Sequence, residues 1–253
     1  MRLTRLALLL LLAAPEARAV SLDPSSFTAP LEILTAQAAD ACAQAIGLGG
    51  DFKPLTGVDP PSGPIGLEVG VQTQASAIPD EFRAVLVAAG YTQPLEGVIP
   101  AARLHANLRL GSRFALEGGW LNYQGYKLTG IAAKLKIIEP EEGFGAALRL
   151  GYADNDLGIV STRTWTPAVI VGAKLAFAEP YMGMSYSFAK SKVSLPIDFG
   201  GGMIQTMTAD GKKNGLALFG GLVFDLAAIQ IAFEGNYSNA GVPGLAVRVG
   251  VRL

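Results

Sequence analysis

The chain has 253 residues, half of them hydrophobic, with 31 Gly, 16% charged residues and a formal net charge of -1. That balance offers no basic footprint for a nucleic-acid partner, so none is expected. A single cysteine, Cys42, excludes an internal disulfide and fits a cysteine-based metal site poorly, and one histidine, His105, cannot build a histidine-rich site. No cofactor and no metal are expected.

Arg2 and Arg5 precede the apolar run Leu6 to Ala14, and Ala17-Arg18-Ala19 supplies a small-x-small cleavage pattern. Residues 1–19 therefore read as an export signal, with an uncleaved anchor as the alternative. The run is too short to cross a bilayer as a helix. Residues 20–63 form a second unit. Leu31, Leu34, Ala38, Cys42 and Ala45 recur at helical spacing, Pro30 suits a first turn, and Gly47, Gly49 and Gly50 end the pattern. This predicts a helix over 30–47, followed by a connector through Pro54, Pro60, Pro61 and Pro64. Helix and connector are expected on the side where the strands begin, folding back into the mouth of the third unit as a plug.

The third unit, 64–253, changes period to two. Ile65, Leu67, Val69 and Val71 alternate with Gly66, Glu68, Gly70 and Gln72, and Leu104, Ala106, Leu108 and Leu110 alternate with Arg103, His105, Asn107 and Arg109. Further strands are predicted near 113–122, 127–138, 143–153, 167–178, 180–189, 214–225, 228–238 and 244–253. Tight connections at Gly111-Ser112, Glu139 to Glu142, Glu179-Pro180 and Ala227-Ala228 interleave with longer ones near 75–100, 154–166 and 190–213 and shorter ones near 123–126 and 239–243. A chain this apolar, without a later run long enough for a membrane helix, must hide its surface in a core or in lipid.

The last strand puts Leu245, Val247, Val249, Val251 and Leu253 on one face and Arg248, Gly250 and Arg252 on the other. It resembles the C-terminal strand of bacterial outer-membrane barrels, which usually ends in an aromatic where this chain has Leu253. The resemblance implies a lipid bilayer around the chain, the outer-membrane assembly machinery as a partner and the bacterial outer membrane as the location. The fold expected is all-β: an antiparallel up-and-down transmembrane β-barrel of about ten strands, with eight to twelve fitting the pattern, and a short N-terminal helix. A soluble barrel with the faces reversed, as in lipocalins, is the alternative.

With the apolar face on lipid, the basic residues Arg103, Arg109, Lys134, Arg149, Lys174, Arg248 and Arg252 line the interior. His105 and the acidic Glu68, Glu117 and Glu234 join them there. An Arg or Lys facing mid-bilayer costs roughly 2–4 kcal/mol, which explains the segregation. Trp120, Tyr123, Tyr126, Phe144, Tyr152, Trp165, Tyr181, Phe188 and Tyr237 fall mostly near strand ends, as girdle aromatics do. His105 between two arginines makes a poor base, and no nucleophile or phosphate-loop motif occurs, so no catalytic residue is expected. Within 75–100, Pro79-Asp80-Glu81 starts a short helix with Phe82, Val85 and Leu86 on one face, candidate lid residues. The layout of N-terminal helix and barrel resembles the fatty-acid transporter-type barrels, whose N-terminal segment plugs the lumen. It implies a function of binding or passing a small apolar or amphiphilic molecule, the alternative being a structural or interaction barrel without transport.

Overall fold

A computed structural model describes residues 22, 24–59, 66–92, 97–123, 126–138, 143–198 and 203–253. The export signal, the connection 139–142, Pro60, Pro61 and Pro64 lie outside the described residues. The strands are β1 (Leu67–Ala77), β2 (Val98–Leu110), β3 (Phe114–Tyr123), β4 (Tyr126–Ile138) and β5 (Phe144–Asp156), followed by β6 (Val160–Ala173), β7 (Ala178–Asp198), β8 (Ile204–Leu226), β9 (Ile229–Ser238) and β10 (Gly244–Arg252). Each pairs antiparallel with its sequence neighbours, and β1 pairs with β10, so the ten strands close into a barrel. Closure pairs both edges of the strands over the barrel body, while the upper part of the β7–β8 hairpin extends past its flanking strands.

Strand residues alternate strictly between the two faces. On β6, Trp165, Pro167, Val169, Val171 and Ala173 point outward, while Thr162, Thr164, Thr166, Ala168 and Ile170 point inward. The outward apolar run ends at Arg163. The positions in register with Arg163 on the neighbouring strands are held by Thr129, Asp154, Lys190 and Lys212, an oblique row across β4 to β8. Below that row the outward positions of β5 to β8 carry no charge. The stretch 165–173, at about 3.3 Å per residue and a tilt near 40°, spans roughly 20–25 Å, close to the height of a membrane barrel's apolar band. Trp120, Tyr123, Trp165, Phe188 and Tyr237 are exposed toward one edge of this band, and Phe144 and Phe177 toward the other. Tyr181, expected among the girdle aromatics, instead points inward and donates its hydroxyl hydrogen to Glu234 Oε2 at 2.9 Å.

Two of the expected long loops are mostly strand. Residues 160–166 belong to β6, while 190–198 and 204–213 continue β7 and β8 into a hairpin that rises past the apolar band. The alternation persists there but its sense inverts. Ser191, Val193 and Leu195 point inward while Lys190, Lys192 and Pro196 point outward. Above the band the outside is water and the inside is packed, so apolar residues change face and the strand no longer looks like its lower half. The connection expected at Glu179-Pro180 lies instead at 174–177.

Before β1 the chain forms 3-10 turns at Pro24–Ser26 and Pro30–Ile33, then helix α1 (Ala36–Cys42), which continues as a π-helical stretch Ala43–Leu48. The predicted helix 30–47 is thus broken at Leu34-Thr35. Thr35 caps α1 by accepting a hydrogen bond from the Ala38 N–H at 3.1 Å. Helix α2 (Asp80–Ala88) lies in the connection between β1 and β2. No helix among the described residues is long and apolar enough to cross a membrane.

Candidate functional site: the barrel interior

The segment 36–59 runs down the lumen from the end bearing α2 to the end where β1 begins. Its route is fixed by contacts at successive depths. At the top, Ser191 Oγ donates to the Ala39 carbonyl at 2.6 Å, and Asp40 accepts from the Lys212 N–H at 2.7 Å. Lower down, Thr164 Oγ1 donates to the Gly47 carbonyl at 3.0 Å. The Gly49 carbonyl accepts from Gln74 Nε2 and Ser76 Oγ, and the Gly50 carbonyl from Arg103 Nη2 at 2.6 Å and Asn155 Nδ2 at 3.1 Å. Thr56 donates to Glu117, the Leu55 N–H to Glu234, and Lys134 Nζ to the Gly57 carbonyl at 2.9 Å. At the bottom the Val58 N–H donates to Glu179, and Asp59 pairs with Lys136 at 2.5 Å and Lys174 at 2.8 Å.

The helix therefore sits at the α2 end of the barrel, not at the end where the strands begin, as its sequence position suggested. The cause is the amount of chain inside. Residues 49–59 have no regular structure, and their backbone groups find donors and acceptors only along the full depth of the polar wall. The helix also meets the barrel differently from expectation. Glu32, Gln37 and Asp40 are exposed, and the buried face of α1 is Ala38, Ala39, Ala41 and Cys42. Only Gln44 of the expected polar set is buried, with its Nε2 donating to the Ala240 carbonyl at 2.6 Å.

Of the residues expected in the interior, Glu68, Arg103, His105, Glu117, Lys134, Arg149, Glu234 and Arg248 are buried on the inner wall. Arg109 and Arg252 face the same side but are half-buried near its lower rim, where Arg252 pairs with Asp225. Lys174 is a correction: it lies in the β6–β7 connection with its side chain 54% exposed, reaching Asp59 from the rim. Two pairs knit the wall itself, Arg149 with Glu117 at 2.9 Å and Arg248 with Glu68 at 3.3 Å. Sequence reasoning missed Gln74, Asn155, Thr164 and Glu179, which hold the segment's backbone. Inward parity carried one step past the predicted strand points to Gln74, whereas Asn155, Thr164 and Glu179 fell in predicted connections.

Apolar contacts are shaped by glycine. Gly119 and Gly130 oppose each other on β3 and β4 and leave a dent that the Phe52 ring fills. A Cβ at Gly130 would lie 2.5 Å from the ring. Arg149 stands 5.2 Å from the centre of the same ring, and the His105 ring is 5.9 Å away. Above the band, α2 covers the start of the segment. Phe82 and Leu86 are fully buried and Val85 half-buried against Leu22, Phe27, Ile33, Ala38 and Cys42. These three candidate lid residues are thus packed on the chain's own N-terminal part.

No family model and no curated protein sequence matches the chain. Several solved barrels are similar in shape. The KdgM porin, crystallised with disordered oligogalacturonate, has a TM-score of 0.40 at 9% identity over 74% of this chain and 99% of that one. The N-terminal β-barrel domain of Pseudomonas aeruginosa OprF has 0.33 at 10% identity, covering 73% and 96%. The outer membrane protein Omp33 of Acinetobacter baumannii has 0.33 at 6% identity, covering 78% and 100%.

Two outcomes follow from this geometry. Gly130→Val forces the Phe52 ring out of its dent, a misfit worth about 1–3 kcal/mol. Burial pushes the Cys42 thiol up to about 12, so maleimide labelling of the folded protein is slow. Labelling is expected to accelerate in Gly130→Val and not in Gly118→Val, whose Cβ would meet open space. Equal rates in the two variants would disprove the dent as an anchor. Burial raises the Asp59 carboxyl, but hydrogen bonds and charge from Lys136 and Lys174 outweigh it and hold it below its ordinary 3.8. This contribution is complete above that value and is lost as pH falls through the lower folded-state value. The unfolding free energy from urea titration should fall on acidification more for the wild type than for Asp59→Asn, by no more than about 1 kcal/mol given the exposed lysine.

Proposed function

We propose that the chain is an integral outer-membrane β-barrel held shut by its own N-terminal segment. The observation that carries this reading is the pairing of an uncharged outer band with a lumen whose polar wall is bonded to segment 47–59. A soluble barrel would reverse those faces. The charges at the band edge and the exposed aromatics fit a bilayer, and the segment fits a plug.

The lumen as filled has little room for a passenger. The enclosed space among Asp51, Lys53, Thr166, Glu234 and Asn236 measures about 10 Å³, the room of roughly one water. Passage of a small amphiphilic molecule therefore requires the segment to leave. Once vacated, the wall presents Arg103, Lys134, Arg149 and Arg248 against Glu68, Glu117 and Glu234, a lining better matched to polar or anionic solutes than to greasy ones. No residue is assigned a catalytic role. The second reading, a structural barrel that never opens, is favoured by the number of bonds that opening must break.

Planar-bilayer conductance separates the two. The full chain should show near-zero conductance, and deletion of residues 24–59 should open it. A deleted form that still shows heat-modifiable migration on gels but conducts no better would overturn the plug. The membrane half is tested separately. Val169→Arg, at an outward mid-band position, should cost about 2–4 kcal/mol in urea-dependent folding into vesicles. A negligible cost would place that face away from lipid.

A further inference from the structure

The outer wall of β5 to β8 carries two features that the plugged-barrel reading leaves unused. The first is the charged row at the top of the apolar band. Arg163, Lys190 and Lys212 occupy directly paired positions on three adjacent strands, with Lys192 one outward position above. Neighbouring strands are about 4.8 Å apart, so these like charges repel one another unless an anion lies among them. Asp154 meets Arg163 at 3.4 Å, and Asp210 stands opposite Lys192, which leaves the patch cationic.

The second feature lies directly beneath. An apolar groove of about 490 Å³ runs across the outer wall between Leu148, Leu150, Pro167, Val169, Met184 and Tyr186. It arises where the small Ala133 and the short ring of Pro167 sit between longer side chains. Two ring pairs, Tyr152 with Trp165 and Tyr186 with Phe188, each 4.8 Å between centres, stand between groove and cations. A cationic row over ring edges over an apolar channel has the order of a phosphorylated headgroup over its acyl chain.

We propose that this face binds one phosphate-bearing lipid of the outer leaflet, its phosphate on Arg163, Lys190 and Lys212 and an acyl chain in the groove below. The proposal rests on the outer-membrane reading, which places this end of the barrel in the outer leaflet. Charge supplies affinity, because each basic side chain at an anionic surface strengthens binding about fivefold. The groove supplies position, because it fixes where the chain descends.

The chain has two tryptophans, so Trp120→Phe leaves Trp165, at the head of the groove, as the only one. In zwitterionic micelles, a bisphosphorylated glycolipid with brominated acyl chains should quench Trp165 saturably. Adding Arg163→Gln, Lys190→Gln and Lys212→Gln should weaken that response by about tenfold to a hundredfold. Ala133→Phe, which fills the groove and leaves the cations in place, should weaken it as well. Equal quenching by the dephosphorylated lipid, or no loss in the triple variant, would reduce the contact to ordinary annular lipid and overturn the proposal. Full displacement by inorganic phosphate, with Ala133→Phe silent, would leave an anion site without its acyl half and also overturn it. Heat-modifiable migration checks that each variant is folded. A chain that stays in solution without detergent would defeat the membrane reading itself, whereas a detergent-requiring chain with an unresponsive Trp165 defeats only the lipid site.

Discussion

The interior is organised by one requirement: an irregular stretch of backbone threads a space from which bulk water is excluded. Each of its N–H and C=O groups must find a partner or forfeit about 1–3 kcal/mol. A helix would satisfy itself, as α1 does at the top. From Gly49 to Asp59 there is no helix, so the wall supplies the partners, and those partners must be long or charged to reach the axis. Arg103, Asn155 and Gln74 reach the two glycine carbonyls, Lys134 reaches Gly57, and Glu234 and Glu179 accept from the N–H groups of Leu55 and Val58. The unusual burial of so many charged groups is thus the counterpart of the segment's lack of secondary structure. Removing one member leaves another buried without its partner, which is why such networks resist piecemeal change.

The outside obeys a simpler requirement. Within the apolar band, closing ten strands pairs the ladder hydrogen bonds, so what the surrounding phase tests there is the side chains. Their outward set on β5 to β8 carries no charge up to one register row and is charged at it, by Asp154, Arg163, Lys190 and Lys212. Because the strands tilt, a row in register crosses the wall obliquely, and what marks an interface is that the uncharged outward run ends along it on strand after strand. The inversion of alternation in the β7–β8 hairpin is the same boundary seen from inside. Val193 and Leu195 turn inward where the outer surroundings become aqueous and α1 offers an apolar partner.

Much of this was legible because a period of two survives any environment. A count of about ten strands follows from that period together with the turns between them, and the inward parity of Arg103, Glu117, Arg149 and Arg248 from the period itself. The upper halves of β6, β7 and β8 were not legible, because residues 160–166 are polar on both faces and 190–198 reverse which face is apolar. The path of the segment left still less trace. Its anchors are main-chain groups of residues such as Gly47, Gly49, Gly50 and Gly57, and a carbonyl has no side-chain signature. Phe52 looked like any loop aromatic until Gly119 and Gly130, distant in sequence, came together to receive it.

The depth of the threading decides how such a barrel can be opened. Two unlike sets of contacts hold the segment: an apolar cap of Phe82, Leu86, Phe27, Ile33 and Cys42 above the band, and polar rungs below it. The solvent-reached rungs weaken when charges are screened or titrated, whereas the cap has no charge to lose. Acid or salt alone therefore loosens only the lower end at Asp59. A pull on the N-terminal end meets the cap first and the rungs one after another, each with its own charged partner to leave behind. Helix α2 is then less a lid over a ligand than the upper half of a latch, and its buried face is apolar because it must hold under conditions that loosen the rung at Asp59.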